Sequence, residues 1–472
     1  MSRKELKEKE IEFLAQEYEK APQLFQQETF IDDSEFLKKF GIFIKEKGKL
    51  PLGYIKFWPQ DFIVEEIGET NNTHTINLGD FFDKKRNFSD KDPTIYATLV
   101  KCGLSTIEAV EEISSLLKID KKQIQFAGIK DKDAISSQLI SLRKTKIKDF
   151  ETIHSPYFFL KNTYSEKGAL GPGFLKGNEF TILVRTDSSF SKKNFIENSN
   201  KISKEGFYNF FYLQRFGTPR LINFYWGLFI LKGDYQKAIL SYLCSPGKRE
   251  VPYFINLRDK IKENFGDWQK IEAALRPFPI IFQNERKIIT YLKNNPKDFT
   301  GALNQIPEQV QLWLFAYASL LFNKKLSSFL KRGVEPPSKL PLILSDDKKE
   351  WLYYRELLEE NGITSIPFQH LKPFPYVRWQ KREIKIKERV RILSFRIVSE
   401  GVILNFSLPK AAYATTFLAH LFNLVSGLPT KDFSSLSIDT KATLGKESIE
   451  EVLNRFGEII QSKTENILKR LS

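Results

Sequence analysis

The chain has 472 residues, 28% charged and 41% hydrophobic, and carries 73 Lys and Arg against 58 Asp and Glu, a net charge of +15. That length suggests about two or three domains with a sizeable core, and the composition excludes a fibrous or broadly disordered chain. Apolar runs such as Trp313 to Ala318 fall far short of the ~18 residues of a membrane span, and the opening MSRKELKEKE lacks a signal peptide's apolar stretch.

Two cysteines, Cys102 and Cys244, make no disulfide framework. The four histidines (His74, His154, His370, His420) share no ligand spacing, so a cytoplasmic protein without a metal is expected. A pI near 9.3 suits a polyanionic partner, of which nucleic acid is the commonest. Part of the lysine excess can equally reflect AT-rich coding, since Phe, Ile and Asn are plentiful too.

Residues 1–50 read as a helical extension, with apolar Ile11, Leu14 and Tyr18, then Phe36 and Phe40, at helical spacing. Strand patterns follow at Asp61–Glu66, Thr94–Lys101 and Ser136–Arg143. Between the second and third, Ser105 and Glu108 form a capping box that opens a helix with Ile107, Val110, Ile113 and Leu117 on one face. A loop bearing Gly171, Gly173 and Gly177 precedes a further strand at Phe180–Arg185. Strands and helices mix without regular βαβ alternation or a Gly-rich dinucleotide loop, which favours α+β. From about Leu221 to Arg378 the chain turns helical, aromatic and Pro-punctuated, as a separate domain would. Strand character returns at Arg389–Ile397 and Gly401–Phe406, and Val452, Phe456, Ile459 and Ile460 fit a terminal amphipathic helix over Ile449–Leu471.

The segment QIQFAGIKDKDAISSQ, residues 123–138, carries the most chemistry. An apolar strand end runs into Ala127-Gly128, and Lys130, Asp131, Lys132 and Asp133 then alternate in sign before the next strand. A carboxylate on a tight loop between lysines stays ionised in a partly dry pocket, the state an Asp nucleophile or base requires. A hairpin whose charges simply face solvent has the same pattern.

Phe126-Ala127-Gly128-x-Lys130-Asp131-Lys132-x-Ala134-x-Ser136-x-Gln138 resembles the active-site motif of the TruD family of pseudouridine synthases. Four further segments match in order. They are Lys56 with Asp61-Phe62-x-Val64-x-Glu66-Ile67, and Leu175-Lys176-Gly177-Asn178-x-Phe180 with Arg185. The others are Asn209-Phe210-Phe211-x-x-Gln214-Arg215-Phe216-Gly217 and Phe406-Ser407-Leu408-Pro409-Lys410 with Tyr413-Ala414-Thr415. The resemblance implies conversion of uridine to pseudouridine in tRNA, commonly at position 13, with neither metal nor organic cofactor. It implies an α+β pseudouridine-synthase core with a mixed, mainly antiparallel sheet, formed here by residues 51–220 and 385–472. A helix-rich family domain would be inserted at residues 221–384.

The resemblance makes Asp131 the catalytic aspartate and Asn178 and Tyr413 substrate contacts. Lys130 or another motif cation would support the ionised carboxylate, and Lys130 can equally point away; Glu66 and Gln138 would orient Lys130 or Asp131 from behind, or else be ordinary strand residues with polar partners. Asn178 suits a uracil edge because its amide both donates and accepts. Tyr413 or Phe180 would be the stacking platform for the displaced base, although a strand Phe more often packs in a core. Gln214 and Arg215 would hold the domain junction or touch RNA backbone. Four positions depart from the family pattern: Tyr212 replaces a usual glycine, so that its loop must swing, Ala318 a glutamine, and Ala411-Ala412 a Gly-Ser pair.

Residues 372–391 hold eight Lys or Arg against two Glu, interleaved with Phe374, Tyr376 and Trp379. Arg378, Lys381, Arg382, Lys385 and Lys387 would form a phosphate track, or else a lysine-protected edge strand, with Ile384-Lys385-Ile386-Lys387 alternating to give one basic face. Residues 121–148 are similarly basic. The expected protein is a monomeric tRNA-modifying isomerase with no membrane partner. A non-catalytic RNA-binding or RNA-folding protein on the same scaffold is the alternative. A metal-dependent nuclease is disfavoured because no acidic or histidine cluster is legible.

Overall fold

A computed structural model describes residues 3–44, 50–79, 94–143, 153, 155–343, 347–364, 367–377, 381–429 and 433–461. The chain forms two compact units, Met1–Lys45 with Asn209–Ile386 and Glu46–Tyr208 with Lys387–Ser472. Among the described residues no helix is long and apolar enough to cross a membrane.

The second unit is built on one mixed, mainly antiparallel sheet. Its strands are β1 (Leu52–Tyr54), β2 (Phe62–Ile67), β3 (Thr73–His74), β4 (Thr94–Cys102), β5 (Ile124–Phe126) and β6 (Ile135–Arg143). They continue with β7 (Phe158–Glu166), β8 (Gly177–Thr186), β9 (Arg391–Val398), β10 (Gly401–Pro409) and β11 (Asn423–Gly427). The order runs β11-β1-β8-β2-β6-β4-β7, with β10 and then β9 added on β8, β3 on β2 and β5 on β6. Only β1 with β11 and β2 with β6 run parallel among these pairs.

The α+β class therefore matches the sequence reading, and so do the four strand patterns before residue 190. Strand β7 is the longest of the strands that reading lacks. Its sequence FFLKNTYSE mixes aromatics with Lys and Asn because it pairs on one side with β4 and is only half-buried along its middle. The Ser105–Glu108 capping box is present: the Ser105 hydroxyl accepts from Glu108 N at 3.2 Å and the Glu108 carboxylate from Ser105 N at 2.9 Å, opening the helix Thr106–Leu117. Near the C-terminus Val452, Phe456 and Ile460 join Ile63, Val100 and Ile135 in one apolar cluster. The remainder of that expected helix, from residue 462, lies outside the described residues.

Strand β2 is buried on both faces, so its acidic residues require partners. Asp61, just ahead of it, takes two hydrogen bonds from the fully buried Arg185 of β8, at 2.7 and 2.9 Å. Glu65 pairs with Lys441 at 2.8 Å and Glu66 with Lys130 at 2.7 Å. Cross-strand register sets Glu66 directly opposite Asn178 of β8.

The first unit is mostly helical. Its longest helix, Pro307–Lys331, crosses Asn223–Leu231 closely at Gly227, where an added Cβ would lie 2.2 Å from the Trp313 carbonyl oxygen. The N-terminal helix Arg3–Lys20 belongs to this unit: the Glu10 carboxylate accepts from Ile280 N at 2.7 Å, and Phe13 packs edge-on against Phe278. Tyr212 corrects the expectation of a swung loop. Its backbone is extended, its ring is buried, and its hydroxyl donates to Asp32 at 2.8 Å. Asp32 in turn pairs with Arg249. Ala318 is buried in the long helix, and Ala411 takes a φ of +69°.

Candidate functional site

The loop joining β5 to β6 carries Asp131, and three buried polar groups hold its backbone. Thr106 Oγ1 accepts from Lys130 N at 2.9 Å and donates to Gln138 Oε1 at 2.8 Å, while Gln138 Nε2 donates to the Gly128 carbonyl at 3.0 Å. Lys101 of β4, fully buried, donates to the carbonyls of Leu104 at 2.8 Å and Asp131 at 2.7 Å, with that of Lys130 at 3.4 Å.

The two side chains of the Lys-Asp pair diverge. Lys130 turns inward, 2.7 Å from Glu66 Oε2 and donating at 2.7 Å to Asn178 Oδ1. Glu66 Oε1 also accepts from Leu139 N at 3.1 Å. The opposition of Glu66 and Asn178 across β2 and β8 is what allows one ammonium to reach both. Asp131 turns outward with a side chain 43% exposed, and its Oδ2 lies 3.1 Å from Lys56 Nζ. Lys56 follows β1 with a φ of +63°, and its ammonium sits 4.4 Å from the centre of the Phe62 ring.

Lys130 thus points away from Asp131, one of the alternatives the sequence leaves open, and the motif cation beside that carboxylate is Lys56. A contact spanning 75 positions leaves no local pattern, although Lys56 stands in the first of the matched motifs. Lys101 had a signal that went unused: a lone lysine in TIYATLVKC, a strand buried along its whole length. Glu66 and Gln138 both reach the loop, Glu66 through the Lys130 side chain and Gln138 through backbone.

Phe180 is 6% exposed, stacked on Phe406 at 5.2 Å and edge-on to Phe62 at 6.2 Å. It shapes the apolar floor and offers no face to a base, which corrects the stacking role. Tyr413 is half-buried at the N-cap of the helix Ala414–Leu418, five residues beyond Leu408, the cross-strand partner of Asn178.

The basic stretch divides among short ladders. Arg382–Lys385 pairs with Lys339–Leu342, and Lys387–Glu388 with Phe207–Tyr208. The alternation holds: Lys385 and Lys387 are exposed while Ile386 is buried. Lys381 is engaged by Asp347 at 3.0 Å, and Arg382 lies 5.9 Å from the centre of the Phe315 ring. Arg378 and Trp379 lie outside the described residues. An open groove of about 890 Å3 passes the strand end at Gly177 and Pro409, with Lys176, Arg389 and Arg391 on its rim.

The loop thus presents an exposed carboxylate beside a cation, next to the buried Lys130-Glu66 pair and the half-buried Asn178, on a mainly antiparallel sheet. Residues 47–341 match the family model described as tRNA pseudouridine synthase D (TruD). The tRNA pseudouridine synthase D of Aquifex aeolicus is 27% identical over 409 residues, covering 78% of this chain and 97% of its own. The Methanopyrus kandleri protein named "Probable tRNA pseudouridine synthase D" is 28% identical over 362 residues, covering 71% of this chain and 86% of its own. A crystal structure of a Methanosarcina mazei protein assigned to TruD superposes with a TM-score of 0.59 over 82% of this chain and 97% of that one; at 22% identity it speaks to the fold. The chain belongs to the tRNA pseudouridine synthase D family.

Proposed function

We propose that this chain converts uridine to pseudouridine at position 13 of tRNA, with Asp131 as the catalytic group acting on a uridine turned out of its stack. Membership of the family makes the chain a tRNA pseudouridine synthase, an isomerase. The observation that carries the residue assignment is the exposed Asp131 carboxylate, 3.1 Å from the Lys56 ammonium on a loop whose backbone is held from inside.

The reaction breaks the bond between C1′ and N1, with the electron pair leaving on the uracil. The base then rotates, C5 bonds to C1′, the hydrogen on C5 leaves as a proton, and N1 gains one. Asp131 serves this sequence either by attacking C1′ or by removing the 2′ proton to give a glycal-like intermediate. Both routes need the carboxylate ionised. Because Lys130 already engages Asn178 Oδ1, the amide Nδ2 of Asn178 is left to donate to a uracil carbonyl. Turning the uridine out costs a few kcal/mol. Stacking on Tyr413 would return about 1–3 kcal/mol.

Arg378, Lys381, Arg382, Lys385 and Lys387 are assigned to the phosphate backbone; Lys381, Arg382, Lys385 and Lys387 are all exposed. The helical residues 221–384 are assigned to the inserted family domain. The protein acts in the cytoplasm as a monomer, without a metal. A non-catalytic RNA-binding protein on this scaffold would bind tRNA and leave its uridines unchanged. Carbodiimide labelling followed by reverse transcription on unmodified tRNA decides. A stop at position 13 that appears only after incubation with the protein is expected. A stop elsewhere would overturn the position, and tight binding with no stop on any tRNA would favour the binding-only reading.

A further inference from the structure

We propose that Lys101 is a positioning residue of the reaction: its buried ammonium clamps the backbone of the Lys130-Asp131 pair and so sets where the Asp131 carboxylate stands. This rests on the reading of Asp131 as the catalytic group. Lys101 lies at the end of β4, one of nine consecutive buried strand residues, and has no exposed surface. An ammonium offers three donors and no acceptor. Here three carbonyl oxygens surround it, those of Leu104 at 2.8 Å, Asp131 at 2.7 Å and Lys130 at 3.4 Å.

A lysine is almost never fully buried without strong compensation, because the charged head is costly to remove from water. Carbonyl dipoles converging on the charge supply such compensation here, and two of the three come from Lys130 and Asp131, whose side chains face Glu66 and Lys56. The arrangement works in both directions. The carbonyls stabilise the ammonium, and the ammonium fixes the peptide planes that aim Asp131 outward and Lys130 inward. Thr106 holds the same loop from its other side, through Lys130 N.

Displacement of a reacting group by about 1 Å costs on the order of 10²-fold in rate. In the full-length chain, Lys101→Met is therefore expected to lower kcat by about 10- to 100-fold while the Kd for tRNA changes less than about threefold. Lys101→Gln, which keeps two donors, should recover part of kcat. A residue that only stabilises the fold would lower the melting temperature and leave kcat unchanged at permissive temperature.

Amide hydrogen exchange gives a readout independent of turnover. Faster exchange at Lys130, Asp131 and Lys132 in Lys101→Met, with β4 and β6 still protected, is the expected result. Wild-type exchange in that loop, or wild-type kcat, would overturn the proposal. Failure of both variants to fold would assign Lys101 to stability alone and overturn it as well. If the wild type proved inactive on every tRNA, the exchange measurement would still judge the clamp, and only the assignment of Asp131 would fall.

Discussion

Lys130 and Asp131 are consecutive residues in opposite surroundings. The Lys130 side chain is 4% exposed and bound to a carboxylate that is 1% exposed; the Asp131 side chain is 43% exposed beside a largely covered lysine. The inner pair is dry and has one geometry, so it organises the loop. In the outer pair the carboxylate is open to solvent while its cation lies largely covered against the Phe62 ring, so the carboxylate remains accessible to a substrate. One dipeptide thereby serves both architecture and chemistry, and the division follows from which strand each side chain faces.

Mutations can break that contrast. The largest effect is expected at Asp131→Asn, with turnover down by at least about 10³-fold and stability near wild type. Glu66→Ala attacks the inner pair and strands the Lys130 ammonium in the core. It should cost about 3–5 kcal/mol in chemical denaturation, because removing one partner leaves a buried charge uncompensated. The pair replaced as Glu66→Leu with Lys130→Met should regain much of that stability and none of the turnover. Lys56→Met attacks the outer pair. It should lower kcat/KM roughly tenfold, while stability changes by no more than about 1 kcal/mol, as for partly exposed pairs.

Two smaller effects sharpen the contrast. Lys385→Ala and Lys387→Ala should each reduce the salt slope of tRNA binding by about 1, measured by filter binding across ionic strength, and leave kcat intact. At the helix opened by Ser105, burial works against the Glu108 carboxylate. The Ser105 backbone N–H, its hydroxyl and the Lys132 ammonium outweigh that and bring its pKa from 4.5 down to about 2. A carboxylate depressed on folding contributes stability that is complete above the unfolded value and lost as pH falls toward the folded one. Glu108→Gln should thus destabilise by up to about 1 kcal/mol at neutral pH, discounted for partial exposure. Urea melts of the two proteins should converge as pH falls from 4.5 toward 2.

The sequence reveals what is local. The capping box, the buried strand Phe62–Ile67 and the charged loop after Gly128 each declare themselves within a dozen residues, and the family motifs bring Glu66, Asp131, Asn178 and Tyr413 forward together. What stays hidden is long-range. The Lys56 contact with Asp131 spans 75 positions, and the hydroxyl contact of Tyr212 with Asp32 spans 180. The inward turn of Lys130 depends on Glu66 and Asn178 being cross-strand partners, a register that no single segment encodes. Phe180 shows the reverse case, a motif residue whose burial between Phe62 and Phe406 is visible only once the strands are paired.

The most direct test of the account is tritium release from tRNA transcripts carrying 5-tritiated uridine, with Asp131→Asn measured beside the wild type and tRNA binding followed in parallel. Forming the carbon-carbon bond expels the hydrogen on C5, so release counts the reaction itself. Release by the wild type, with at least about 10³-fold slower release by a variant that binds tRNA equally well, is the predicted result. Release by Asp131→Asn at the wild-type rate would contradict the assignment of the outward-facing carboxylate as the catalytic group.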